Sequence, residues 1–408
     1  MADDGRPPKQ GEHEMPYIEG RVVHDADAHI MEEPTWLLDH ADAEVRERLE
    51  PQVALSLSPD EDVDVIEHFR QRHADPEFRA RDAAEIMDRK NFKATGSFIA
   101  EDRPLALDLL GVASQLVFNT FNNGHLLRLE RGSDIDLAYG AARAHNRAMT
   151  EFCSVDPRLL PTCYVPLADF ERSAAMAAEA IAMGAAALLV PSGCPRDHSP
   201  SHIGLDPVWS QAEEAGIPIV LHVGGGGQLL DPKYFENGGP EVKDFHGGDE
   251  NFRSVDYMAI PGPPAQTMAT LIIDGVLERH PDLRFGIIEQ GAIWLPSWMR
   301  QMESAVDAFA RHEERLQQLS LRPSEYVRRQ VKATPYPTED VRWIAEQAGP
   351  ETVLFSTDFP HVEGGRRPFE RFEASLGDAP EPVRQAFYCD NFVELMGTAV
   401  DRLPVAAL

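Results

Sequence analysis

The sequence predicts an α/β protein built as a (β/α)8 TIM-like barrel with long insertions after strands 1 and 5. Three observations predict it. Apolar, β-rich segments alternate with amphipathic helical ones, the pattern of a parallel sheet covered by helices. The candidate strands number eight, the count that closes a barrel. Polar residues interrupt the apolar strands at their C-terminal ends, the face on which such barrels carry their chemistry.

The first strand is expected over 21–29 (RVVHDADAH), where Val22 and Val23 start an extended run. The next are expected at 112–119, 159–166, 185–190 and 217–222 (IPIVLH), then at 283–289 (LRFGIIE), 328–334 and 351–358. Amphipathic stretches at 135–152, 171–183, 206–215, 265–279, 294–316 and 338–347 fill the intervals. Met183-Gly184 and Ala215-Gly216 read as helix C-termini, each followed by a short hop into the next strand. An open doubly wound sheet is the alternative, but its first turn would need a Gly-x-Gly-x-x-Gly signature, which is absent.

Residues 1–18 are expected to form a disordered lead and 401–408 a short tail, which leaves 19–400 as one barrel domain. The expected insertions are 30–85, charged and Pro-punctuated, and 223–264, rich in Gly, Pro and aromatics. Both open onto the active-site face of a barrel and are candidate substrate walls.

The 408 residues are 43% hydrophobic, enough for a large core. Against 68 acidic residues stand 38 basic ones, a net charge of -30 that argues against nucleic acid or an anionic membrane as partner. No apolar run reaches the roughly 20 residues of a membrane span. Cys153, Cys163, Cys194 and Cys389 have no CxxC spacing and read as free thiols. A cytoplasmic protein acting on a small molecule is the simplest expectation.

Alternation along the first strand puts Asp25, Asp27 and His29 on one face. His222 ends the fifth strand, Glu289 the sixth and Asp358 the eighth, with His361 three residues on. Singly, each has an ordinary structural role, such as a turn, a cap or an ion pair. Together they bring several carboxylates into one pore, with no Lys or Arg at these strand ends to offset their repulsion. A divalent metal held by Asp27, His29, His222 and Asp358 resolves the conflict, and this mixed N/O set suits Zn, Mn or Fe. Arg366 and Arg367 are candidates for steering an acidic substrate. Phe121, Phe252, Tyr257, Trp294 and Trp298 are candidates for an apolar pocket. Gly224 to Gly227 lack the Lys-Ser/Thr of a phosphate loop and read as a turn.

The stretches "DADAHIMEEP", "IPIVLH", "LRFGIIEQGAIWLPSWMRQME" and "VLFSTDFPH" resemble the amidohydrolase-related (amidohydrolase 2) family of the metal-dependent amidohydrolase superfamily. That family includes the aminocarboxymuconate semialdehyde decarboxylase-like proteins. The resemblance spans roughly residues 20–400. It implies a distorted barrel with one catalytic zinc or manganese, and often a homodimer. The first-strand metal motif falls on Asp27 and His29, the fifth-strand His on His222 and the eighth-strand Asp on Asp358. It implies a hydrolase or a non-oxidative decarboxylase acting on a small organic or aromatic acid. Asp358 would then be ligand and acid or base, and His361 its supporting partner.

Two departures from the family pattern matter. Decarboxylases of the family usually carry His where this chain has Glu289, which would then serve as proton shuttle. The fourth strand, "ALLVPSG", lacks the Lys or Glu that bridges two metals in binuclear hydrolases. Asp25 and Glu289 are surplus carboxylates able to hold a second ion. The alternative is therefore a non-haem diiron monooxygenase on the same barrel, hydroxylating a terpenoid-like natural product. A catalytically silent, metal-stabilised barrel is the third reading.

Overall fold

A computed structural model describes residues 16–52, 58–240 and 253–404. The expected lead, up to residue 15, the last four residues of the tail and Phe252 fall outside the described residues. Seven parallel strands run in sequence order: β1 (His24–Ile30), β2 (Ser114–Asn119), β3 (Leu159–Tyr164), β4 (Ala187–Val190), β5 (Ile219–His222), β6 (Phe285–Ile288) and β7 (Val331–Ala333). The sheet curls in the TIM-like manner, with every strand residue buried.

The helices start and stop where local chemistry directs. Asp134, Asp169 and Asp340 accept backbone N–H groups at the starts of helices Ile135–Cys153, Phe170–Met183 and Val341–Ala348. Gly184 and Gly216 end theirs in the left-handed region that glycine enters without strain. The helix expected over 265–279 is instead Gly262–Ile273 followed by Val276–Arg279, broken at Gly275. The one expected over 294–316 ends at Phe309. No described helix is long and apolar enough to cross a membrane. All four cysteines are free.

Two strand expectations are corrected. Residues 328–330 belong to helix Pro323–Gln330, which buries Tyr326 and Val327, so β7 is only three residues long. The eighth segment is extended but forms no regular ladder. Leu354 N–H donates to Ala333 O at 3.1 Å on the β7 side. On the β1 side, Ala26 N–H reaches Phe355 O at 3.0 Å and Asp358 N–H reaches Asp27 O at 2.9 Å. The segment thus bridges both edges of the sheet. Its regularity ends at Asp358, which has a left-handed φ of 54°.

Candidate metal centre

The C-terminal ends of β1, β5, β6 and the bridging segment converge. Ligand atoms of Asp27, His29, His222 and Glu289 lie within 4.8 Å of one another, as do those of His29, Glu289, Asp358 and His361. Asp27 Oδ1 is 3.2 Å from His29 Nε2 and 3.3 Å from His222 Nε2. Glu289 Oε2 is 3.3 Å from His222 Nε2, and Asp358 Oδ1 is 3.6 Å from His29 Nε2.

Both imidazoles are oriented by main-chain carbonyls. His29 Nδ1 donates to Asn119 O at 2.9 Å, and His222 Nδ1 to Val223 O at 3.0 Å. In a neutral ring that bond puts the proton on Nδ1 and leaves a lone pair on Nε2. Burial and the neighbouring His361 push His29 down to about 4, so this ring is neutral at ordinary pH. Its lone pair therefore faces carboxylate oxygens with no proton between them. Asp27 Oδ2 is buried without a hydrogen-bond partner among the described residues. Lone pairs and carboxylates aimed at one point fit a divalent cation. Asp27, Glu289 and Asp358 also line a cavity of about 20 Å³, room for one ion or one water.

Two of these carboxylates sit on strained backbone. Glu289 and Asp358 are the left-handed non-glycine residues of the centre, both at φ 54°. Glu289 is held there by its N–H to Thr334 Oγ1 and by Tyr336 OH to its carbonyl, both 2.8 Å. Glu339 supports the following turn by accepting the N–H groups of Ala292, Ile293 and Tyr336. Gly364 is required beside Asp358, since a Cβ there would meet Thr357 O at 2.1 Å.

His361 Nδ1 is 2.9 Å from Asp358 Oδ1, and its Nε2 is 2.8 Å from Thr120 Oγ1. The single hydroxyl hydrogen of Thr120 has Ile30 O at 2.8 Å. When it donates there, its oxygen accepts from His361 Nε2–H, which leaves Nδ1 facing Asp358. Glu32, in the same stretch as β1, fixes the Thr120 turn by accepting the N–H groups of Thr120, Phe121 and Asn122.

Asp25 falls outside both ligand groups. Thr357 donates to it from N–H (2.8 Å) and hydroxyl (2.6 Å), and Gln115 Nε2 does so at 2.9 Å. Burial pushes it up to about 7 against the pull of these bonds. Pairing with β2 is irregular between Asp25 and Ala28, so simple alternation does not carry to this residue.

Tyr257 lines a cavity of about 490 Å³ that shares Glu289, Tyr336 and Gly364 with the metal cavity. Trp294 lines neither cavity. Its Nε1 donates to Gly291 O at 2.9 Å, and its ring meets Trp298 edge-on at 5.2 Å. Arg366 also lines neither. Its side chain is 72% exposed, 3.6 Å from Asp88. The glycine run after β5 is a close-packed turn, Gly225 N–H reaching His222 O at 3.2 Å. Thr120, Thr334, Tyr336 and Glu339 escaped sequence reasoning. The first three follow strand ends on the active-site face, and that position was their available signal.

The Amidohydrolase family model matches residues 126–395, and the chain belongs to this family. Solved structures share its fold. An amidohydrolase from Mycobacterium avium subsp. paratuberculosis K-10 aligns at 22% identity and TM-score 0.72, over 93% of this chain and 100% of that one. The manganese-bound 5-carboxyvanillate decarboxylase of Novosphingobium aromaticivorans DSM 12444, complexed with 4-hydroxy-3-methoxy-5-nitrobenzoic acid, aligns at 16% and 0.60, over 92% and 96%. A dihydroxybenzoic acid decarboxylase from Polaromonas sp. JS666, with manganese and 2-nitroresorcinol, aligns at 16% and 0.59, over 95% and 99%. No curated protein matches the sequence.

Proposed function

We propose that the chain is a metal-dependent enzyme that decarboxylates an organic or aromatic acid without redox change. The observation that carries this reading is the pair of backbone-oriented imidazoles whose Nε2 atoms face three carboxylates at the mouth of an apolar cavity. Asp27, His29, His222 and Asp358 would hold the ion, with Glu289 against it. A bound divalent cation would supply Lewis-acid polarisation of a substrate oxygen. One ion is favoured over two, because His29 belongs to both ligand groups and its Nε2 has a single lone pair.

The remaining chemistry belongs to the chain. Tyr257 and Tyr336, with ring centroids 5.2 Å apart, offer flat apolar walls to a planar substrate. Arg371 on the same cavity attracts a carboxylate. Asp358 and His361, with Oδ1 and Nδ1 2.9 Å apart, are placed to hand a proton to the carbon that loses the carboxylate. Burial of the centre keeps bulk water from competing for that step.

Hydrolysis is the second reading, favoured by the same chain. Asp358 would accept a proton and pass it to His361, which Thr120 steadies. The diiron alternative would need Asp25 beside a second ion. Thr357 and Gln115 occupy the Asp25 oxygens, and the similar structures described are decarboxylases and an amidohydrolase, so that reading has no support.

The test is metal content of protein purified without added metal, followed by a panel of hydroxybenzoic acids in deuterated water. About one manganese or zinc per chain, with CO2 release and deuterium at the vacated carbon, is expected. About two irons, or turnover of esters and amides alone, would overturn decarboxylation.

A further inference from the structure

A third cavity, of about 610 Å³, shares no lining residue with the two metal-side cavities. Six basic side chains line it (Arg72, Arg81, Arg89, Lys90, Lys93 and Arg366) against two acidic ones, Glu85 and Asp88. In a chain with 38 basic and 68 acidic residues, that lining reverses the average.

Clustered cations are usually neutralised by neighbours, and here only some are. Arg89 is buried between Asp82 (2.5 Å) and Glu85 (2.8 Å), its guanidinium 3.5 Å over the Phe78 ring. Arg81 shares Glu85 at 2.7 Å, and Arg366 has Asp88 at 3.6 Å. Arg72 and Lys93 are exposed and have no carboxylate partner among the described residues. Lys90 Nζ donates to a neutral acceptor, Gly365 O, at 2.5 Å. Burial pushes its ammonium down to about 8, against the pull of Asp358 and Glu363. Three cations therefore reach the cavity without an ion pair among the described residues.

The apolar part is aromatic. Phe69, Phe78 and Phe92 line the cavity, and the Phe69 and Phe92 rings are parallel with centroids 6.3 Å apart. We propose that this cavity binds an organic phosphate: a planar ring against the partly exposed Phe69, its dianionic phosphate among Arg72, Lys90 and Lys93. Guanidinium and ammonium donors match phosphate oxygens in charge and geometry, and aromatic faces match a planar ring. The volume suits a ligand of that size. An occupant would also touch the centre indirectly. Lys90 bonds Gly365 O, and Asn91 N–H bonds Pro360 O at 3.0 Å, so the wall is tied to the turn that carries Asp358 and His361.

Calorimetric titration of the full-length, metal-loaded protein with phenyl phosphate tests this. Saturable binding is expected. The R72S/K93S double variant should weaken it by about tenfold or more, because two charge-assisted contacts are lost. Both residues are exposed, and an unchanged melting temperature verifies the variant's fold. If the double variant does not fold, the R72S and K93S single variants are read in the same way. Added salt should weaken binding to the wild type. Arg72 and Lys93 line this cavity and not the metal-side ones, so their loss separates it from phosphate held at the metal. Absence of saturable binding, wild-type affinity in the variants, or equally tight binding of inorganic phosphate would overturn the proposal.

Discussion

Replacing Thr334 by Val and Tyr336 by Phe removes the two hydrogen bonds that hold Glu289 in its left-handed conformation, while no candidate ligand residue is itself substituted. A non-glycine residue at φ 54° is disfavoured by roughly 1–2 kcal/mol. The two bonds, each 2.8 Å long, contribute roughly 0.5–1.5 kcal/mol apiece. The terms are of one size, so without the bonds the backbone relaxes and carries the Glu289 carboxylate away from His222 Nε2. Loss of contacts that orient a ligand weakens metal binding by about 10–100-fold. In T334V/Y336F the manganese Kd should rise by about that factor, while unfolding free energy falls by only about 1–3 kcal/mol. Calorimetric manganese titration beside urea denaturation measures both. Wild-type manganese affinity in a variant that has lost stability would refute the reasoning. Glu289→Gly supplies the opposite case: stability unchanged or raised as the strain is relieved, with metal affinity lost.

Three further predictions concern pH, the metal and the substrate. Burial pushes Glu339 up to about 7, so its stabilising contribution is full below pH 4.5 and is lost as pH rises through about 7. The span corresponds to about 3 kcal/mol at 1.36 kcal/mol per unit, and Glu339→Gln, which retains a carbonyl acceptor, should remove it. Urea midpoints from pH 5 to 8 should show the wild type losing ground to that variant, and a constant difference would refute the assignment. His222→Ala should lower bound metal well below stoichiometric and lower the melting temperature of metal-loaded protein. Mass spectrometry and calorimetry check both, and unaltered metal content would remove His222 from the ligand set. Arg371→Ala should raise KM for acid substrates about tenfold with little change in kcat, and the reverse pattern would place Arg371 in the chemical step.

Much of this molecule was legible in its sequence because strong local signals agreed with the fold. Apolar runs marked seven strands, and the dipeptides Met183-Gly184 and Ala215-Gly216 marked helix ends, where both glycines take the left-handed conformation. Asp27, His29, His222, Glu289 and Asp358 could be gathered because a parallel barrel collects its strand ends on one face. The misses have physical causes. Asp25 was assigned by alternation, but strand pairing is irregular beside it, and contacts from Thr357 and Gln115 determine its surroundings. The eighth segment reads as a strand in composition, yet Asp358 adopts a conformation that no propensity announces. Tyr336 and Thr120 act through partners 47 and 241 residues away, a separation that periodicity cannot span. Arg366 is exposed and belongs to a different cavity.

The carbonyls of Asn119 and Val223 orient the two imidazoles, and both belong to the main chain. A substitution at position 119 or 223 changes the side chain but keeps the acceptor, so ring orientation does not depend on which residue occupies either place. The loops beyond those positions can therefore diversify through mutation while the centre stays fixed. In a lineage of such proteins, new substrates would be reached by redrawing walls around an inherited metal geometry. Variant libraries confined to the segment after β5, which lines the larger cavity through Arg253, Ser254 and Tyr257, should accordingly yield altered selectivity far more often than loss of metal.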